Sequence, residues 1–202
     1  MSSSRFPGKS LAPFRGQPIV AHVLRAVGDV LPPGDVVLVT SDEPSDDPLA
    51  WYVERLGYPV FRGSRDDVFA RFRAAARQFP SQWILRVCAD SPLLDPGVIR
   101  ALLAADRNGD VITTTHPRSF PSGQNAELVR ASTFMALADR ELSAEDREHV
   151  TAYFYRHADR FAIRNLDSRD AHDRDRSFVV DTLDDLRRLE ALLPADDWRA
   201  AP

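Results

Sequence analysis

The chain has 202 residues, 44% hydrophobic and 28% charged, a globular balance with enough length for one well-buried core. Its net charge of −4 argues against a bulk pull toward nucleic acid or membrane, so any polyanion site must be a local basic cluster. A single cysteine excludes an intramolecular disulfide framework and suits a reducing cytoplasm, and no apolar run or N-terminal hydrophobic signal region suggests membrane insertion or export.

The opening "MSSSRFPGKSLAP" reads as a loop suited to an anion: small residues let the backbone come close to phosphate, and Arg5 and Lys9 add charge. Lys9 is the only lysine in the chain. "QPIVAHVLRAV" (17–27) places Ile19, Val20, Val23, Leu24 and Val27 on one helical face. "DVVLVTSD" (35–42) is a short apolar run typical of a buried parallel strand. "DPLAWYVERLG" (47–57) predicts a helix stopped by Gly57, "PVFRGS" (59–64) a strand, and "DDVFARFRAAARQF" (66–79) an amphipathic helix. "WILRVCADSPLL" (83–94) reads as a buried strand ending in a polar turn. "DPGVIRALLAA" (95–105) reads as a helix started by Asp and Pro, and "GDVITTT" (109–115) as a strand. Beyond residue 116 the pattern is less regular. "AELVRASTFMALADREL" holds a strand and a helix, "REHVTAYFYRH" a helix, "SFVVDT" (177–182) a strand and "LDDLRRLEALL" a closing helix. Alternating strands and helices imply an α/β sandwich: a mostly parallel sheet covered on both faces. The whole chain, 1–202, is expected to form one domain with an inserted lobe over 116–176.

In open α/β sheets, ligands bind at the carboxyl ends of strands. The opening loop, Asp90 after "WILRVCA" and Asp181 after "SFVV" fall there. Two carboxylates at strand ends can share a hard cation such as Mg²⁺, which favours one or two carboxylates plus phosphate oxygens. Equally, Asp90 can cap a turn and Asp181 the last helix. Arg147, Glu148 and His149, at an expected helix start in the lobe, read either as an acceptor site or as a cap with a surface ion pair. Cys88, Trp51 and Trp83 read as packing, His22 as exposed, and 167–176 as a solvated loop.

Taken together, "SSSRFPGKSLAPFRGQPIVAHVLRAV", "VTSDEPSDDPLA", "VFRGSRDDVFARF", "LRVCADSPLLDPGVI", "REHVTAYFY" and "VVDTLDDLRRLEAL" resemble, in order, the CTP-dependent sugar cytidylyltransferases, in particular their spore-coat-polysaccharide branch. The resemblance implies the nucleotide-diphospho-sugar transferase fold. It also implies attack of an acceptor hydroxyl or phosphate on the α-phosphorus of CTP, with pyrophosphate leaving. Ser3, Arg5, Gly8 and Lys9 match the phosphate loop, and Asp90 and Asp181 match the Mg²⁺ aspartates. Lys9, Arg5 and Asp90 would carry the catalysis. Arg62 and Arg71 match positions near the nucleotide, and Asp67 a base contact. Asn125, Glu127, Arg147 and His149 are acceptor-side candidates. A homodimer, and CTP with a sugar or sugar-acid acceptor as partners, follow from the family. Rival readings are a UTP- or GTP-dependent relative and a non-catalytic homologue serving as a binding or assembly partner.

Two departures stand out. In the family a central strand and an Arg precede the loop, and here Met1 falls one position after them. Dropping that strand would leave ladder groups unpaired at about 1–3 kcal/mol each, so the expectation is either an upstream start or a natural truncation. Secondly, "SGQNAELV" (122–129) carries Asn125 where the branch usually has Asp in Gly-x-Asp-x-Glu, while Gly123 and Glu127 remain. Asn keeps an acceptor oxygen without the charge.

Overall fold

The computed structural model describes residues 5–170 and 172–193. A tight hairpin of β1 (Pro13–Phe14) and β2 (Gln17–Pro18) follows the opening loop. It turns through Arg15 and Gly16, both at positive φ. It feeds α1 (Ile19–Gly28), whose buried face is Ile19, Val20, Val23, Leu24, Ala26 and Val27. Then come β3 (Leu38–Ser41), α2 (Asp47–Arg55), β4 (Val60–Gly63), α3 (Val68–Gln78), β5 (Trp83–Val87), α4 (Pro96–Ala104), β6 (Val111–Thr113) and β7 (Ala126–Arg130). The chain continues through α5 (Ala131–Ala136), α6 (Ala144–His149), α7 (Ala152–Arg156), β8 (Ile163–Asn165) and α8 (Leu183–Ala191). Local chemistry sets the boundaries. Asp95 accepts from the Gly97 amide at 2.7 Å with Pro96 at the first helical position of α4, and Gly57 leaves α2 at φ 85°.

The strands form a sheet in two pieces. β3 and β4 pair in parallel, and the second piece runs β5–β7–β6–β8. Within it β5, β6 and β8 share a direction and β7 alone runs against them. Among the described residues no strand pairs with the second edge of β3 or of β5, and all five residues of β5 stay partly exposed. Helix α1 spans the break: Val23 and Val27 share a cluster with Val36, ahead of β3, and with Leu85 and Val87 of β5. The opposite face is covered by α3 and the helices after β7, with Phe69, Phe134, Val150, Tyr153 and Phe154 buried against Val111 and Val129.

Several expectations are corrected. Residues 177–182 do not form a strand; Ser177 makes one isolated bridge to Ser122, because the ladder partners there are a loop and a turn. Within 116–176, β7 and β8 are strands of the main sheet, with the helices between them lying outside it. The expected single helix over 147–157 is two, broken at buried Val150 with φ 52°. His22 is half-buried, not exposed: its Nε2 lies 2.8 Å from the Phe14 carbonyl, and burial lowers its pKa. Trp51 is 60% exposed and meets Arg55 rather than a core.

Three carboxylates give the fold an acid dependence. Burial would raise the pKa of Asp146, but the Ser143 amide and hydroxyl and the Arg156 guanidinium hold it below its ordinary value. Asp185 is held low in the same sense by Thr182 and Arg188, and Asp46 by Thr40 and Ser41. A folded pKa below the unfolded one, about 3.9 for Asp, gives stability that is fully present above the unfolded value. That stability disappears as pH falls through the folded value. Melting temperature should therefore fall progressively below about pH 5, and Asp146→Asn should flatten that fall; an unchanged pH profile of the variant would contradict it.

Candidate active site

Phe6 anchors the opening loop in a cluster with Phe14, Ile19, Val180, Leu186 and Leu189. Gly8 adopts φ 77°, a left-handed turn that favours glycine, and Lys9 begins a short 3-10 turn. These two features aim Lys9 at the end of β5. The Val180 amide donates to the Asp90 carbonyl at 2.9 Å, which ties the approach to Asp181 to the turn after β5. Gly123 helps close that approach, because a Cβ there would lie 2.9 Å from the Phe178 carbonyl carbon. Asp181 sits just before α8, where Thr182 and Asp185 form a capping box.

Lys9 Nζ donates to Asp90 Oδ2 at 2.9 Å and to Asp181 Oδ1 at 2.8 Å. Arg5 reaches Asp181 Oδ2 at 2.9 Å. The three central side chains are 16%, 24% and 36% exposed for Lys9, Asp90 and Asp181, so the cluster is sheltered but open on one side. Burial works to lower the Lys9 pKa, yet the two carboxylates outweigh it and hold it above its ordinary value. Two carboxylates far apart in sequence thus converge on one positive centre.

The other sequence-derived candidates lie as follows. Ser3 lies outside the described residues. Arg62 donates to the carbonyls of Ser41 and Glu43 and pairs with Asp47 at 2.7 Å, tying β4 to the β3–α2 connection. Arg71 donates to the Ser64 carbonyl at 2.7 Å, and its Nε is buried with no partner among the described residues. Asp67 caps α3 through the Ala70 amide and pairs with Arg147. Arg147 lies in the last turn of α6 rather than at a helix start, and also holds the Asp139 carbonyl. His149 is exposed at the end of α6. Asn125 leaves Oδ1 buried without a partner among the described residues, and Glu127 is buried in a hydrogen-bonded network. Cys88 lies in the interior, and burial raises its thiol pKa.

Two residues escaped the sequence reading. Arg86 pairs with Glu127 across β5 and β7. Asp46 accepts from Thr40 Oγ1, Ser41 Oγ and the Ser41 amide, and so locks the turn after β3. The signal for Arg86 was a charged residue in an otherwise apolar strand; Asp46, among the acidic residues of 42–47, carried none.

Arg5 and Lys9 of the opening loop and the two carboxylates Asp90 and Asp181 thus gather beside the turn after β5. A family profile described as Cytidylyltransferase matches residues 1–197, and the chain belongs to that family. It is 30% identical over 203 residues to the spore coat polysaccharide biosynthesis protein SpsF of Bacillus subtilis (strain 168), covering 95% of this chain and 82% of that protein. It is 29% identical over 235 residues to the 3-deoxy-manno-octulosonate cytidylyltransferase of Anaeromyxobacter sp. (strain K), covering 96% and 94%. A solved cytidylyltransferase from Leptospira borgpetersenii serovar Hardjo-bovis (strain JB197) superposes with a TM-score of 0.88 at 25% identity, over 96% of this chain and 84% of that one.

Proposed function

We propose that this chain is a Mg²⁺-dependent cytidylyltransferase that transfers CMP from CTP to a sugar acid or sugar-like acceptor for surface polysaccharide or related biosynthesis. The observation that carries the reading is Lys9 held between Asp90 and Asp181. The same two carboxylates fit a hard divalent cation: oxygen donors from distant segments already converge on one positive atom. Among the described residues no third His, Cys, Asp or Glu joins them, which suits an ion completed by phosphate oxygens. Asp90 and Asp181 would hold Mg²⁺, which would neutralise triphosphate charge.

This chain's own residues then have defined work. An acceptor oxygen forms a bond to the α-phosphorus, the bond to the β-phosphate bridge breaks, and pyrophosphate leaves with the electron pair while the acceptor proton passes to solvent. Lys9 and Arg5 would offset the charge that develops on the leaving pyrophosphate, and such positioning and electrostatic stabilisation supply most of the catalysis in this chemistry. No helix among the described residues is long and apolar enough to cross a membrane; the same reading puts the protein in the cytoplasm, as a homodimer.

Pyrophosphate release with CTP, MgCl₂ and an acceptor panel containing 3-deoxy-manno-octulosonate tests the reaction. Thermal shift with CTP, UTP, GTP and ATP tests the base. CTP should stabilise most, by about 2.7 kcal/mol at a hundredfold excess over Kd. No turnover together with no CTP-selective shift would overturn the proposal.

A further inference from the structure

Arg86 and Glu127 lie directly opposite each other across β5 and β7, and Arg86 Nη1 donates to Glu127 Oε2 at 2.6 Å. The other oxygen of Glu127 accepts from Thr151 Oγ1 at 2.7 Å and from the Tyr155 hydroxyl at 2.9 Å. Tyr155 is fixed in turn by the hydroxyls of Thr113 and Thr115, at 2.9 and 3.1 Å, and by the His116 ring stacked at 4.9 Å. With both oxygens engaged and only 5% exposure, Glu127 is a positioning residue and has little left to offer a ligand. This network joins three of the segments singled out in the sequence, "LRVCADSP", "SGQNAELV" and "REHVTAYFY".

Arg86 is different. It gives Nη1 to Glu127, its Cζ lies 6.0 Å from the Phe72 ring centre, and Nε and Nη2 have no partner among the described residues. The side chain retains 21% exposure. A guanidinium is a planar fork of five donors, and its Nε–Nη2 edge is the side that takes an oxyanion with two parallel hydrogen bonds. Here one nitrogen is anchored by a buried carboxylate and that edge is open.

Arg86 stands on the strand whose following turn carries Asp90. Arg86 precedes Asp90 by four residues, so their Cα atoms are at most about 14 Å apart. Cys88 lies between them and feels the charges of Arg86, Asp90, Glu127 and Lys9 together. Asn125, two residues before Glu127, carries a buried Oδ1 with no partner among the described residues.

We infer that Arg86 is the anion receptor of the acceptor site, its open edge binding the carboxylate or phosphate of an acidic sugar while Glu127, Thr151 and Tyr155 fix its orientation. The inference rests on the cytidylyltransferase reading and specifies the acceptor class: a sugar bearing an oxyanion, not a neutral one.

The test is calorimetric titration of the full chain, without nucleotide, by three probes: 3-deoxy-manno-octulosonate, glucose 1-phosphate and glucose. At least one acid should bind about tenfold or more tightly than glucose, the scale of a bidentate charged contact. The preferred acid identifies carboxylate or phosphate as the ligand group. Arg86→Lys should lose most of the preference, because it keeps the charge without the fork. Removing Arg86 alone strands the buried Glu127, so Arg86→Met combined with Glu127→Leu provides a variant with no orphan charge. A folded double variant that still prefers the acid would overturn the inference, as would a wild-type protein that binds all three probes equally. CTP titration of the wild type, run separately, reports on the nucleotide reading, so the two can fail independently.

Discussion

Asp90→Asn and Asp181→Asn should each lower kcat for CTP-dependent pyrophosphate release by about 10²-fold or more, the scale of losing one preorganised charge contact. The side chains differ from their replacements by one charge and almost no volume. Neither backbone role depends on the carboxylate: the Asp90 carbonyl still receives the Val180 amide, and the capping box of α8 uses Thr182 and Asp185. Stability should move little, because Lys9 keeps one carboxylate when the other is neutralised, and partly exposed pairs contribute about 0–1 kcal/mol. The two losses should not add. If both carboxylates serve one charged centre, removing the second after the first has little left to remove. Steady-state kinetics of the two singles and the double decide this. Near-normal rates in either single variant would remove the metal assignment, and fully multiplicative losses would mean that the two residues act separately.

How far the site could be read from the sequence depended on how local each cause was. The apolar face of α1 and the amphipathic character of α3 follow from spacing, and the start of α4 from Asp95 and Pro96, whereas α8 is capped by Thr182 and Asp185 and not by Asp181. Asp90 and Asp181 stood out because each follows an apolar run at a place where α/β folds bind ligands, and Lys9 because it is the only lysine and sits in the opening anion loop. The path to Asp181 was misread in its details. "SFVV" has the apolar content of a strand, but its amides at Phe178 and Val180 bond to the Ser122 carbonyl at 2.6 Å and the Asp90 carbonyl at 2.9 Å, and no continuous ladder forms. Asp67 shows a different limit: a carboxylate that caps a helix and one that contacts a ligand look alike in sequence. Its partner Arg147 comes 80 residues later, a separation that no local pattern encodes.

The sheet carries the same lesson at larger scale. The sequence expectation of a missing first central strand turns on where the opening loop falls relative to the family pattern. Among the described residues β3 ends one piece of the sheet and β5 the other, and α1 packs across both. The register that sets Arg86 against Glu127 lies in the second piece. It arises because β7 enters between β5 and β6 and runs against both, which neither strand's own composition predicts. The pairing had to be seen before Arg86 could be given a role and before Glu127 could be read as its counter-ion.

That pairing makes Glu127→Ala the most damaging single change expected outside the carboxylate pair. Burial alone would disfavour the Arg86 charge, and Glu127 more than offsets it, raising the Arg86 pKa above its ordinary value. Removing the carboxylate leaves a mostly buried cation with no counter-charge and takes the acceptor from Thr151 and Tyr155. Breaking a buried pair on one side costs about 3–5 kcal/mol. For a chain of this length that is a fall in Tm of roughly 6–20 °C. Thr151→Val should cost only about 1 kcal/mol, one hydrogen bond among the three that Glu127 accepts from side chains. Replacing Arg86 and Glu127 together by Met and Leu should recover most of the loss, since no charge is then stranded. Urea denaturation of the four proteins, wild type included, gives the ordering directly. If Glu127→Ala lies within 1 kcal/mol of wild type, or the double variant is no better than the single, the pair is not a buried counter-ion unit, and a rigid Arg86 cannot be argued from it. If the ordering holds, Glu127 acts as the buried counter-ion that holds the guanidinium in one orientation, as the proposed anion-receptor role of Arg86 requires.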